Sequence, residues 1–146
     1  MVGGVKQLLL ICAVVALVGC SPTVEIADPI VEEAIRVWIS KPEGKLTKAD
    51  LDKVHTLILH HNQLTEPPKE LEKLTQLEHL EFGDNQLTNV KGLEKLTKLR
   101  LLGLRYNQLT ELPKGLEKLT QLEVLVLDDN PDLTKAQIAE LQKALP

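Results

Sequence analysis

The sequence predicts a short, right-handed α/β solenoid, with a parallel sheet lining one side and a helix capping each end. Three observations predict it. Asparagines at 62, 85, 107 and 130 recur at spacings of 23, 22 and 23 residues. Just before each of them, apolar and polar residues alternate over a strand-length stretch. Outside the repeated block, apolar residues at helical spacing follow good capping residues. The 146 residues suffice for one domain of this kind.

Residues 1–20 read "MVGGVKQLLLICAVVALVGC". Lys6 gives a positive start, and Leu8 to Val18 is an apolar run of eleven residues. A transmembrane helix needs about 20 apolar residues, so the run fits the core of a secretory signal instead. Its end, "LVGC", resembles the lipobox of bacterial lipoproteins. That resemblance implies cleavage before Cys20 and acylation of its thiol and new amino terminus. The mature chain then keeps one cysteine, which carries lipid, and can form no disulfide of its own. Residues 1–19 read as the signal peptide and 20–25 as the lipidated cysteine with a short linker. Ser21, where an Asp would signal retention, implies outer-membrane sorting in a Gram-negative host. Losing the single charge of Lys6 takes the formal net charge from −4 to −5. Mild acidity of this kind argues against nucleic acid as a partner and against a polybasic membrane patch.

Residues 26–53 form an amino-terminal cap and partial repeat. Asp28 suits an N-cap and Pro29 the first helical position. Ile30, Ala34, Val37 and Trp38, with Val31 and Ile35, make an apolar stripe, and Trp38 is expected to pack within the cap. Lys41, Pro42 and Gly44 end this segment. In "LTKADLDK", Thr47 and Asp50 have capping-box spacing.

The repeats occupy 54–76, 77–98, 99–121 and 122–133. They read "VHTLILHHNQLTEPPKELEKLTQ", "LEHLEFGDNQLTNVKGLEKLTK", "LRLLGLRYNQLTELPKGLEKLTQ" and "LEVLVLDDNPDLT". In "LEHLEF", Leu80 and Phe82 point to one face and His79, Glu81 and Gly83 to the other, as a strand requires. One such strand cannot bury its apolar face alone, whereas stacked copies share one core. Leu57, Leu59, Leu80, Leu102, Leu104, Leu125 and Leu127 are expected to fill it. Leu64, Leu87 and Leu109 enter it from the turn, and Leu74, Leu96 and Leu119 from the outer side. The "EKLTQLE" stretches between read as solvated outer segments. Asn62, Asn85, Asn107 and Asn130 are expected to be buried as a structural ladder, bonding backbone of their own turn and of the next coil. Each unit fits L-x-x-L-x-L-x-x-N-x-L. On these residues the chain resembles leucine-rich repeat proteins, the short bacterial, internalin-like kind being the nearest match. The resemblance covers 46–133 directly and implies a short horseshoe arc whose concave, sheet-lined face binds a protein partner.

Residues 134–146 form the carboxy-terminal capping helix. Thr134 and Gln137 have capping-box spacing, and Ile138, Leu141 and Leu145 share a face. Pro131 breaks the regular turn where the cap begins.

The concave positions vary, and they align in columns. Thr56, His79, Leu101 and Val124 form one, and Ile58, Glu81, Gly103 and Val126 the next. His60, Gly83, Arg105 and Asp128 form the third, beside His61, Asp84, Tyr106 and Asp129. The candidate partner-binding set is His60, His79, Glu81, Leu101, Arg105, Tyr106, Val124, Val126 and Asp128, since Tyr and Arg are common interface anchors. An Arg105–Asp128 pair near the space beside Gly83 is the plain structural alternative. His60, His61 and His79 are a weak metal candidate, although adjacent strand residues point to opposite faces unless the turn bends them. No phosphate loop, nucleophile elbow or free mature cysteine beside a histidine occurs in the sequence. The chain is therefore read as a lipid-anchored, non-catalytic interaction module of the bacterial envelope. It is expected to be a monomer without cofactor, with an unidentified protein partner. Metal-binding or purely structural envelope proteins are the alternatives.

Overall fold

The computed structural model describes residues 22–112 and 115–145. The signal sequence, Cys20 and Ser21 lie outside the described residues. The chain runs through α1 (Pro29–Trp38), α2 (Lys48–Leu51), β1 (Thr56–Ile58), β2 (His79–Glu81), β3 (Leu101–Gly103), β4 (Val124–Val126) and α3 (Lys135–Ala144). Short 3-10 turns at Lys69–Lys73, Leu93–Lys95 and Leu116–Lys118 lie between successive strands. The strands form one parallel sheet in the order β1-β2-β3-β4. Thr56, His79, Leu101 and Val124 stand side by side, as do Ile58, Glu81, Gly103 and Val126, which are the columns expected from the sequence. No helix among the described residues is long and apolar enough to cross a membrane.

The core lies between the sheet and the 3-10 turns. Leu57, Leu59, Leu80, Phe82, Leu102 and Leu104 enter it from the strands, and Leu74, Leu96 and Leu119 from the opposite side, all fully buried. Leu71, Leu93 and Leu116 just before the "EKL" words, and Leu77, Leu99 and Leu122 after them, are buried too, so the outer segments are half core and not merely solvated surface. Two other expectations need correction. Leu125 and Leu127 are only half-buried. They lie in the last coil, where α3 packs on the 3-10 turn Leu116–Lys118 and leaves an open groove between Ile138, Leu141 and Leu145 and these two leucines. Leu64 is also half-buried, because the first turn has a neighbouring coil on one side only.

The asparagine ladder is present, with its direction corrected. The Asn85 side chain donates to Phe82 O (2.9 Å) and Gly83 O (3.2 Å) of its own turn and to Leu59 O (2.8 Å) of the preceding coil. Its Oδ1 accepts from Asn62 N (3.1 Å) and Leu64 N (3.0 Å), also of the preceding coil. Asn107 and Asn130 repeat the scheme on Phe82 O and Leu104 O, with Leu87 and Leu109 as donors. Asn62 is not buried. Among the described residues no repeat coil precedes it, and its side chain donates to His60 O alone (2.8 Å).

The caps are built as their capping residues require. Asp28 accepts from Ile30 N and Val31 N at 2.9 and 3.0 Å, with Pro29 opening α1. Val31 and Ile35 are fully buried. Val37 and Trp38 are 73% and 46% exposed, which corrects the expectation that both lie in the packed stripe. Two residues beyond Ile35 the helix has turned by about 200°, so Val37 points away from the core. Thr47 and Asp50 form the expected capping box. The Asp50 carboxylate is 11% exposed and also accepts from Lys41 Nζ at 2.6 Å. Lys41, then the Thr47 hydroxyl, hold its pKa well below the usual carboxylate range against desolvation. Thr134 and Gln137 close the second box, and Leu141, Ile138 and Leu145 turn inward.

The segment expected to be a linker over 20–25 is not free within the described residues. Val24 N donates to Leu46 O (2.8 Å) and Lys48 N to Pro22 O (3.2 Å), and Thr23 bridges Thr47 in antiparallel fashion.

Candidate partner-binding surface

The strand period places residues 56 and 58, and their equivalents in each later coil, on the concave side of the sheet, opposite the core leucines. Of the expected set, Val124 is 44% exposed and Tyr106 43%. His60, His79, Arg105 and Asp128 are exposed, and Glu81, Leu101 and Val126 are half-buried. The surface thus carries apolar ground at β3–β4, a histidine–carboxylate region at β1–β2, and a polar rim at the strand ends.

The histidine region is organised in pairs across the first two coils. His60 Nε2 lies 3.6 Å from Glu81 Oε2, His61 Nδ1 4.0 Å from Asp84 Oδ2, and His55 Nδ1 3.3 Å from Glu78 Oε1. One glycine makes room for the first of these. A methyl group at Gly103 would collide with the Glu81 carboxylate, whereas one at Gly83 would make ordinary contact with the His60 ring at 3.5 Å. The space beside Gly83 is therefore covered by His60. The His60 and His61 rings stand 87° apart with centroids at 6.1 Å, because His61 sits at φ 58° and turns its side chain out of the strand. Among the described residues no group of three or more His, Cys, Asp or Glu side chains could hold a metal, so His60, His61 and His79 do not converge on one point.

The rim carries a correction. Arg105 pairs with Asp129 (Nε–Oδ2, 3.5 Å), not with Asp128. Its Nη2 donates to Tyr106 Oη at 2.6 Å, and its guanidinium carbon lies 4.3 Å from the Tyr106 ring centroid. Tyr106 is the first cause of a raised Arg105 pKa, with Asp129 adding to it, so the guanidinium keeps its charge throughout. Asp129 reaches this position from the left-handed region (φ 56°), which it shares with His61, Asp84 and Tyr106 of the earlier coils. A four-residue column of positive φ before each asparagine has no counterpart in simple strand alternation. The presence of Asp and His in it, both tolerant of that conformation, was the available signal.

Sequence reasoning also missed Ile58, Val37 and Trp38. Ile58 is 58% exposed on the concave column, beside Val37 and Trp38 of α1. Its place in the column was legible; its prominence next to an exposed tryptophan was not.

Residues 52–109 match the leucine rich repeat family. Among solved structures, an internalin of Listeria monocytogenes superposes with a TM-score of 0.63 at 27% identity, covering 80% of this chain and 34% of that one. Internalin C2 of the same organism gives 0.63 at 30% identity, covering 70% and 46%. A leucine-rich repeat protein of Leptospira interrogans gives 0.61 at 37% identity, covering 67% and 25%. The chain spans less than half the length of each of these three proteins. No curated protein is similar enough to count as a match. The fold is the leucine-rich repeat fold, built as in the internalins.

Proposed function

We propose that the chain is a lipid-anchored, non-catalytic module of the bacterial envelope that binds a protein partner through its concave face. One observation carries the binding reading. Among the described residues the large exposed hydrophobic side chains are Val37, Trp38, Ile58, Tyr106 and Val124. Ile58 and Val124 stand on the concave columns, Tyr106 on their rim, and Val37 and Trp38 on the helix that abuts β1. The leucines of the opposite side are buried. Aromatic and aliphatic anchors gathered on one side, with Arg105 at the rim, have the composition of an interface core. The similarity to internalins supports the same reading. The anchor reading is supported by "LVGC" at residues 17–20 and places the protein in a bacterial membrane, the outer membrane in a Gram-negative host.

Affinity capture from the native host tests the binding. The wild type should recover a protein that an Arg105→Glu/Tyr106→Ala variant does not; identical recoveries would overturn the concave-face assignment. Incorporation of labelled palmitate into the wild type, absent from Cys20→Ser, tests the anchor.

A further inference from the structure

The groove between α1 and β1 is an unfinished position in the repeat. It measures about 370 Å³ and is lined by Ala34, Val37, Trp38, Thr56 and Ile58, with Glu33 and Asn62 at its margins. In the inner coils His79, Leu101 and Val124 donate their amides back to His55 O, Glu78 O and Arg100 O of the preceding coil, at 2.9 to 3.0 Å. Thr56 is the corresponding residue of β1, the edge strand, and has no preceding coil. The same holds for the ladder. The Oδ1 atoms of Asn85, Asn107 and Asn130 accept from Leu64, Leu87 and Leu109 of the preceding coil, while Asn62 Oδ1 receives no donor among the described residues. The Glu33 carboxylate has no ion-pair partner among them either, since Arg36 is taken by Glu32.

We infer that this groove binds an extended, basic and apolar peptide segment of another protein, which adds to the edge of β1. Each open feature specifies part of the occupant. The β1 edge calls for backbone carbonyls, and Asn62 Oδ1 for a backbone N–H, which an extended chain presents together when it joins a sheet edge. Trp38, Val37 and Ile58 call for apolar side chains at every second position. Glu33 calls for a cation at the groove margin. The groove shares Val37, Trp38 and Ile58 with the surface proposed above but not the rim of Arg105, Tyr106 and Asp129, so loss of groove binding and loss of capture by the Arg105→Glu/Tyr106→Ala variant are separate outcomes.

Trp38 is the chain's single tryptophan, so its fluorescence reports on the groove alone. The probe is the peptide acetyl-Lys-Val-Thr-Val-Thr-Val-Lys-amide, titrated into the full chain in detergent micelles. A saturable blue shift of Trp38 emission is expected, lost when alternate peptide nitrogens of the probe are methylated. Glu33→Lys should weaken binding at least tenfold, which corresponds to about 1.4 kcal/mol. Lys143→Glu, exposed on α3 at the other end of the solenoid, should change it by no more than about twofold. The inference is overturned by the absence of a shift, by equal binding of the methylated probe, or by indifference to Glu33→Lys. It is also overturned if Trp38 emission follows protein concentration together with dimer formation, which makes a second copy the occupant. Binding only after removal of residues 1–19 would instead make the chain's own leader the occupant.

Discussion

Asn85 joins two coils through one side chain: its amide donates to Leu59 O at 2.8 Å while its oxygen accepts from Leu64 N at 3.0 Å, both in the coil before it. Asn62 is followed by the same Gln-Leu-Thr but has no repeat coil before it among the described residues. Asn85→Ala leaves several buried backbone groups without partners, at about 1–3 kcal/mol for a group that cannot find water. A loss of about 2–4 kcal/mol is expected in urea melts. Asn62→Ala should cost under about 1 kcal/mol, as at other surface positions. Equal losses would contradict the one-directional ladder.

Leu102 is fully buried in the third coil, whereas Leu127 at the last strand is half-buried. Leu102→Ala should cost about 2–5 kcal/mol. Leu127→Ala should cost less than half of that, since part of its surface is already wet. A loss under about 1 kcal/mol for Leu102→Ala would contradict a continuous core.

Asp50 is held ionised by Lys41 and Thr47. Its folded pKa lies below its unfolded value near 3.9. The stabilisation is therefore complete above about pH 4 and is lost as pH falls further towards the folded pKa. Asp50→Asn should lower stability at pH 7 by about 1.5–3 kcal/mol, the range for hydrogen bonds to a charged group. The gap between variant and wild type should narrow below pH 4; a gap that is constant from pH 7 to pH 2 would rule out the carboxylate as its source.

Tyr106 keeps a bulky side chain at φ 54°, a conformation that costs most residues about 1–2 kcal/mol and asparagine less. Replacing it also gives up a cation–π contact with Arg105, of about 0.5–1 kcal/mol at an exposed site. Tyr106→Asn should therefore leave stability unchanged or raise it by up to about 1 kcal/mol, while reducing partner capture. Strain kept at an exposed aromatic is the pattern of a binding residue. Undiminished capture by a stable Tyr106→Asn variant would remove Tyr106 from the site.

The parts of the fold that repeat were legible, because each coil states the same alternation and each asparagine marks the same turn. Leu80, Phe82 and Leu102 are where that alternation puts them, and both capping boxes stand where their spacing predicts. The misreadings fall where the repeat stops. Leu125, Leu127 and Asn62 look in sequence like their inner counterparts, yet burial depends on a neighbouring coil that local sequence does not announce. Val37 and Trp38 depart from the expected stripe because apolar residues adjacent to a stripe share its composition without sharing its face. At the binding surface, the columns were readable from period two. The choice of Asp129 over Asp128 by Arg105 was not, since it follows from a left-handed residue that re-aims the side chain after the strand.

The bridge between Thr23 and Thr47 has a mechanical consequence. With Cys20 lipidated, as proposed, only two peptide steps separate the acylated residue from Pro22, whose carbonyl is already bonded to Lys48, a reach of about 7 Å. Such an attachment works as a pivot and not as a leash. It keeps the first coil against the lipid headgroups and leaves the domain free to swing but not to wander. A partner that meets the first coil must then itself lie at the membrane surface, whereas one that meets the last coil can arrive from bulk solvent.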